Sequence, residues 1–139
     1  MEVTNMDDKK IGAITEKILS AWNRQDVDEV LACYTEDCIY RDPNTQSAIK
    51  GHEKFGRYLR KLFDQWEMHW STREYFQFSE EKGCAFLWHA TLTPVSGGET
   101  FEIDGMDLAI IRGEKLYRNE VYFDRMALLT KKITPTEVI

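Results

Sequence analysis

The spacing of the apolar residues changes partway along the chain, and that change restricts the possible folds more than any other feature. Up to Trp66, apolar side chains recur every three or four residues. Ile11, Ile14, Ile18 and Trp22 form one such set, Val27, Leu31 and Tyr34 a second, and Phe55, Leu59, Leu62, Phe63 and Trp66 a third. Each set lies on one face of a helix. Beyond Trp66 the period falls to two. Cys84, Phe86, Trp88, Ala90 and Leu92 alternate with Ala85, Leu87, His89, Thr91 and Thr93, as in a strand with one buried face. Helices first and long strands second predict an α+β fold. Three N-terminal helices pack on the concave face of a curved, mainly antiparallel sheet, giving a cone whose open end makes a pocket.

Local signals set the expected boundaries. Thr4 with Asp7 marks a helix start, and Asp26 with Glu29 caps a short second helix. The third helix is expected over Gly51–Trp66. Between the last two, a strand over Cys38–Asp42 ends at Pro43, which has no N–H for a ladder, and a loop covers Asn44–Lys50. Strands follow over Met68–Phe78, Cys84–Thr93, Glu99–Arg112 and Lys115–Met126. They are separated by turns at Glu81–Gly83 and Gly113–Glu114 and by a loop at Pro94–Gly98.

The 139 residues fit one domain, with a core over about 8–131 and both termini mobile. A net charge of −6 argues against nucleic acid or an anionic membrane as partner. Arg57, Arg60 and Lys61 read as a solvated helix face. Three cysteines, Cys33, Cys38 and Cys84, lack metal or redox spacing, so a reducing cytoplasm is expected. The polar opening segment has no signal core, and no apolar run is long enough to span a membrane.

Two aspartates stand out because a carboxylate among apolar residues must be paired, hydrogen-bonded or protonated. In the strand beginning near Glu99, Phe101, Ile103, Gly105, Asp107, Ala109 and Ile111 share the more apolar side, and Gly105 leaves room beside Asp107. Asp42 shares a side with Cys38 and Tyr40. Each has a second reading: Asp107 as a structural group bonded to backbone or to Arg118, Asp42 as a turn residue before Pro43. Faces in the last strand are mixed and stay unassigned. His52, His69 and His89 have no metal-ligand spacing, and Cys38 has no base beside it, so it reads as core.

Ala21–Asp28, Tyr34–Pro43 and Gly51–Glu53 together resemble the opening of nuclear-transport-factor-2-like domains. Gly113–Leu116 with Glu120–Arg125 is similar to the close of their SnoaL-like branch. This resemblance spans about residues 8–131 and implies the cone fold, a homodimer formed through the outer sheet face, and an apolar small-molecule ligand. Leu108, Ile110 and Tyr122 would serve that outer face. No cofactor is implied. In ketosteroid isomerase the base is an aspartate followed by proline, matched here by Asp42–Pro43, and its protonated oxyanion aspartate is matched by Asp107. Its helix tyrosine falls at Ile18, which cannot donate a hydrogen bond. The water-activating triad of limonene epoxide hydrolase would fall at Ala90, Trp88 and Val121, where its residues are absent. In SnoaL-type cyclases the acid/base aspartate would fall at Val121 and a pocket histidine at Asp107.

The function expected from residues and resemblance together is binding of a small apolar molecule, with acid/base catalysis on a carbonyl compound. Asp42 acts as base, protonated Asp107 as donor, and Tyr40 or Tyr58 substitutes for the missing tyrosine. The expected pocket takes Ile18 and Trp22 from the first helix, Tyr40 from the first strand, and Phe55, Tyr58 and Leu59 from the third helix. The long strands add Phe86, Trp88, Ala90, Phe101, Gly105, Asn119, Val121 and Phe123. The alternative is a non-catalytic ligand-binding or dimerisation domain.

Overall fold

The computed structural model describes residues 2–126, with side chains from Lys9 onward. The expected Thr4–Asp7 cap, the end of the core near residue 131 and the mobility of the termini therefore lie outside the described residues or side chains. Helix α1 spans Glu2–Arg24, beginning upstream of the Thr4 signal. Helix α2 covers Val27–Ala32, and Asp26 caps it by accepting from the Glu29 amide at 3.1 Å. Cys33 closes α2 in a helical conformation, and the chain then turns extended. Tyr34 thus opens strand β1 (Tyr34–Arg41) and does not extend the α2 face. It is fully buried. Its helical spacing from Val27 and Leu31 misleads because so short a helix leaves no room for a third turn.

The expected loop after Pro43 contains a short strand β2 (Ile49–Lys50), and helix α3 follows over His52–Gln65. Gly51 precedes α3 at φ 86°, a conformation that favours glycine. Strands β3 (Trp66–Gln77), β4 (Gly83–Pro94), β5 (Phe101–Arg112) and β6 (Lys115–Phe123) follow. Trp66 is the first residue of β3, so the aromatic expected at the end of α3 belongs to the sheet.

All six strands form one sheet in the order β2-β1-β6-β5-β4-β3. Only β1 and β6 run parallel, with Tyr34 beside Leu116 and Tyr40 beside Asn119; the other neighbours are antiparallel. Register shifts interrupt β1–β6, β3–β4 and β5–β6. Such bulges bend a sheet and increase its twist. The shift at Ile110–Ile111 explains why β6 resists assignment: it brings both Leu116 and Asn119, three residues apart, to buried positions. In β4 the alternation is unbroken, with Cys84, Phe86, Trp88, Ala90 and Leu92 all buried. The core lies between this concave face and the three helices.

Strand β3 is an edge, and the end of α1 covers half of it. The Asn23 side chain donates to the Trp70 carbonyl at 2.9 Å and accepts from the Trp70 amide at 2.7 Å. Gln25 does the same for the Trp66 carbonyl and the Met68 amide, both at 2.7 Å. Two side-chain amides thus stand where a neighbouring strand would be, satisfying backbone groups that an edge leaves open. Gln25 adopts φ 51°, which ends α1 and turns the chain toward α2. Replacing Asn23 with alanine should lower stability by about 1–2 kcal/mol. In hydrogen exchange, protection should fall first at the Trp70 amide. Unchanged protection there would show that the clasp contributes nothing.

Candidate active site

A cavity with a mouth open to solvent lies between the helices and the concave face of the sheet. Thr15, Ile18, Leu19 and Trp22 of α1 line one side, with Tyr58 and Leu62 of α3 beside them. The sheet supplies Trp66, Met68 and Trp70 from β3, Phe86, Trp88 and Leu92 from β4, and Leu116, Val121 and Phe123 from β6. Ile103, Asp107 and Ala109 of β5, and Tyr40, Asp42 and Asn44 at the end of β1, complete the wall. The two aspartates therefore share one cavity.

Asp42 follows β1 and is 9% exposed. Its Oδ1 accepts from the Asn44 amide at 2.7 Å and the Thr45 amide at 3.2 Å, the Asx turn expected before Pro43. Its Oδ2 accepts from the Tyr40 hydroxyl at 2.7 Å and from the Tyr58 hydroxyl. A carboxylate has about four acceptor sites. All four are occupied, so Asp42 is a turn residue and a cavity residue at once. Burial, followed by the Asp42 charge, pushes Tyr40 and Tyr58 well above the ordinary phenol range, so both hydroxyls keep their protons.

Asp107 is held differently. Oδ1 accepts from the Trp88 indole at 2.7 Å, and Oδ2 accepts from Asn119 Nδ2 at 2.9 Å. One acceptor site remains on each oxygen. Behind it runs a buried chain: Trp22 Nε1 donates to the Tyr34 hydroxyl at 3.1 Å, which donates to Asn119 Oδ1 at 2.7 Å. Asn119 Nδ2 also reaches the Leu108 carbonyl at 3.1 Å. Burial raises Asp107 from 3.8 to about 6; the donors Asn119 and Trp88 oppose that rise, and the Asp42 charge adds to it. Arg118 takes no part. It lies on the opposite face and bonds Glu120 at 2.7 Å, which corrects the reading of Arg118 as partner to Asp107.

Of the expected pocket, Ile18, Trp22, Tyr40, Tyr58, Phe86, Trp88, Val121 and Phe123 come together with both aspartates on the wall. The other six expected residues are not on it. Phe55 stacks behind Tyr40 with ring centroids 4.6 Å apart, and Leu59 is fully buried in the core. Ala90 is buried in the sheet between Trp70 and Ile103. Phe101 packs on Trp66 at 5.6 Å. Asn119 stands behind Asp107. Gly105 lies under the Trp88 ring, where a Cβ would run into the indole. Among the lining residues that were not anticipated, Ile103 and Ala109 share the Asp107 side of their strand and Leu92 the Trp88 side, so the alternation already contained that signal. Thr15 and Leu19 follow Ile11 at helical spacing. Nothing local marks Leu116, because the bulge decides its side.

The SnoaL-like domain family model matches residues 15–119, and the chain belongs to that family. No curated protein matches it in sequence. Among solved structures it is similar to a protein of unknown function, described as nuclear-transport-factor-2-like, from Burkholderia pseudomallei. That pair has a TM-score of 0.75 and 19% identity over 90% of this chain and 98% of that one. It is also similar to the BvnE pinacolase from Penicillium brevicompactum, with a TM-score of 0.77 and 12% identity over 90% and 93%. A ketosteroid isomerase-like protein from Erwinia carotovora atroseptica follows, with a TM-score of 0.64 and 20% identity over 82% and 93%. At these identities the likeness is one of fold.

The raised Asp107 has a consequence for stability. The folded protein holds this proton up to about pH 6, whereas the unfolded chain releases it near 3.8. Stability tied to the neutral carboxyl is full below the lower value and lost as pH rises through the upper one. In urea titrations, the wild type should lose about 2 kcal/mol relative to Asp107→Asn between about pH 4 and about pH 8. A gap independent of pH would show that Asp107 titrates as an ordinary aspartate.

Proposed function

We propose that the cavity binds a small apolar carbonyl compound and moves a proton at the carbon beside its carbonyl, with no cofactor in the step. The observation that carries this reading is Asp107: a carboxylate in an apolar cavity, steadied by two N–H donors, with an acceptor site left on each oxygen and a midpoint of about 6. A base is most effective when its midpoint lies near the working pH. At neutral pH Asp107 is largely ionised, which supports the role of base for it in place of the donor role read from the sequence. Asp42 has every acceptor site in use, which leaves none for a substrate proton, and it instead positions the Tyr58 hydroxyl at the opposite pole.

Asp107 takes the proton, the C–H electron pair forms the enolate double bond, and the negative charge moves to the carbonyl oxygen. Rotation of the Tyr58 hydroxyl from Asp42 toward that oxygen supplies the donor that Ile18 cannot, while Asp42 keeps its three other bonds. The proton then returns from Asp107 to a carbon of the enolate. A positioned base contributes ~10²–10⁴-fold and an oxyanion donor ~10²–10³-fold.

Two further parts of the proposal concern context. Phe76 and Tyr122 are exposed on the outer sheet face with Met106 between them, and a homodimer through that face would cover them. Three free, buried cysteines fit a reducing cytoplasm.

The reading is tested by deuterium exchange beside the carbonyl across a panel of small and polycyclic ketones, followed by NMR. Asp107→Asn should abolish exchange, and Tyr58→Phe should slow it about a hundredfold. The rate should rise with pH through about 6 and then level, because the working form is the ionised one. A rate that falls through the same midpoint would instead restore the protonated-donor role, with Asp42 as base. Absence of exchange from every ketone that binds would favour the non-catalytic ligand-binding domain, a reading that hydrocarbon Ile18 on the wall supports.

A further inference from the structure

The cavity wall holds two carboxylates, and among the described residues no lysine, arginine or histidine lines it. Buried carboxylates ordinarily face a cation, because desolvated charge is costly alone. Asp42 has a substitute in its four donors. Asp107 has only two, and the Asp42 charge works against its ionisation. Arg125 is the guanidinium that approaches: it donates to Asn44 Oδ1 at 2.9 Å from the exposed side and is not part of the wall. The rest of the wall is largely apolar and carries four indoles, Trp22, Trp66, Trp70 and Trp88. Indole faces attract cations at about 0.5–2 kcal/mol each when a ring is well placed.

We propose that the natural ligand supplies the missing positive charge: a small apolar amine, bound protonated, with an N–H on a vacant acceptor site of Asp107 and its carbon frame against the tryptophans. This rests on the cavity being the ligand site and adds the charge of the compound it takes. Joined to the proposed chemistry, it makes the substrate an amino ketone. One Asp107 oxygen receives the ammonium and the other faces the carbon that loses its proton. Free acids and phosphorylated compounds are excluded by the same charges.

Three compounds sharing one frame test this: naphthylmethylamine, naphthalenemethanol and naphthoate, titrated calorimetrically well above the Asp107 midpoint. The amine should bind about tenfold or more tightly than the alcohol, as a charge-assisted hydrogen bond does over a neutral one, and naphthoate should not bind. In Asp107→Asn the amine and alcohol should bind alike. A second measurement needs no variant. Near the Asp107 midpoint, amine binding to the wild type should release a proton, seen as a binding heat that depends on the buffer. Alcohol binding as tight as amine binding, or amine binding without proton release, overturns the inference while leaving the cavity as a ligand site. Tight amine binding with no exchange from any ketone overturns the catalytic reading alone. Failure of all three to bind overturns both.

Discussion

The arrangement depends on a buried chain of hydrogen bonds that can run in only one direction. An ionised carboxylate only accepts, so Asn119 must turn its nitrogen to Asp107 and its oxygen to Tyr34. Tyr34 must then donate to that oxygen, which leaves its own oxygen free to accept from Trp22. Each link fixes the next, and the links come from α1, β1, β6 and β5. A polar network this deep is stable only when every member is satisfied. Apolar packing brings the elements together, and the chain of donors selects how they meet.

The two carboxylates show how one cavity keeps like groups distinct. Asp42 sits where a turn supplies backbone amides and two tyrosines supply hydroxyls, so its charge is well solvated by protein. Asp107 sits mid-strand, where the ladder consumes the backbone donors and only side chains can help. Trp88 reaches it because the neighbouring strand carries Gly105: any side chain there would occupy the space of the indole. A glycine on one strand thus sets the environment of a carboxylate two residues further along, through a tryptophan on the next strand.

What was legible in the sequence follows the same logic. The alternation of Cys84–Leu92 and of Phe101–Ile111 gave the buried faces of β4 and β5, because no irregularity falls within the stretches that line the cavity. Asp26 announced α2 because its cap is local. Tyr34 was read onto a helix because the end of α2 depends on the conformation of Cys33, which no side-chain pattern shows. The inner face of β6 was hidden by its bulge, and so was Asn119 as the partner of Asp107. That pairing is a diagonal contact, since Asp107 lies opposite Val121 and Asn119 opposite Ala109, and the register that sets it exists only in three dimensions. The parallel pairing of β1 with β6 left no mark either, since neither strand is long enough to display its partner.

That parallel pairing has a kinetic meaning. It joins Tyr34 to Leu116 and Tyr40 to Asn119, closing most of the chain into a single loop. Contacts of such sequence separation pay their entropy before they return any stability. The β3–β6 meander can form from near neighbours, but Asp42 and Asp107 face a common space only after the first strand docks against the last. Competence therefore arrives late and all at once on the folding path, and a nascent chain still lacking β6 has the ingredients of the site without having the site.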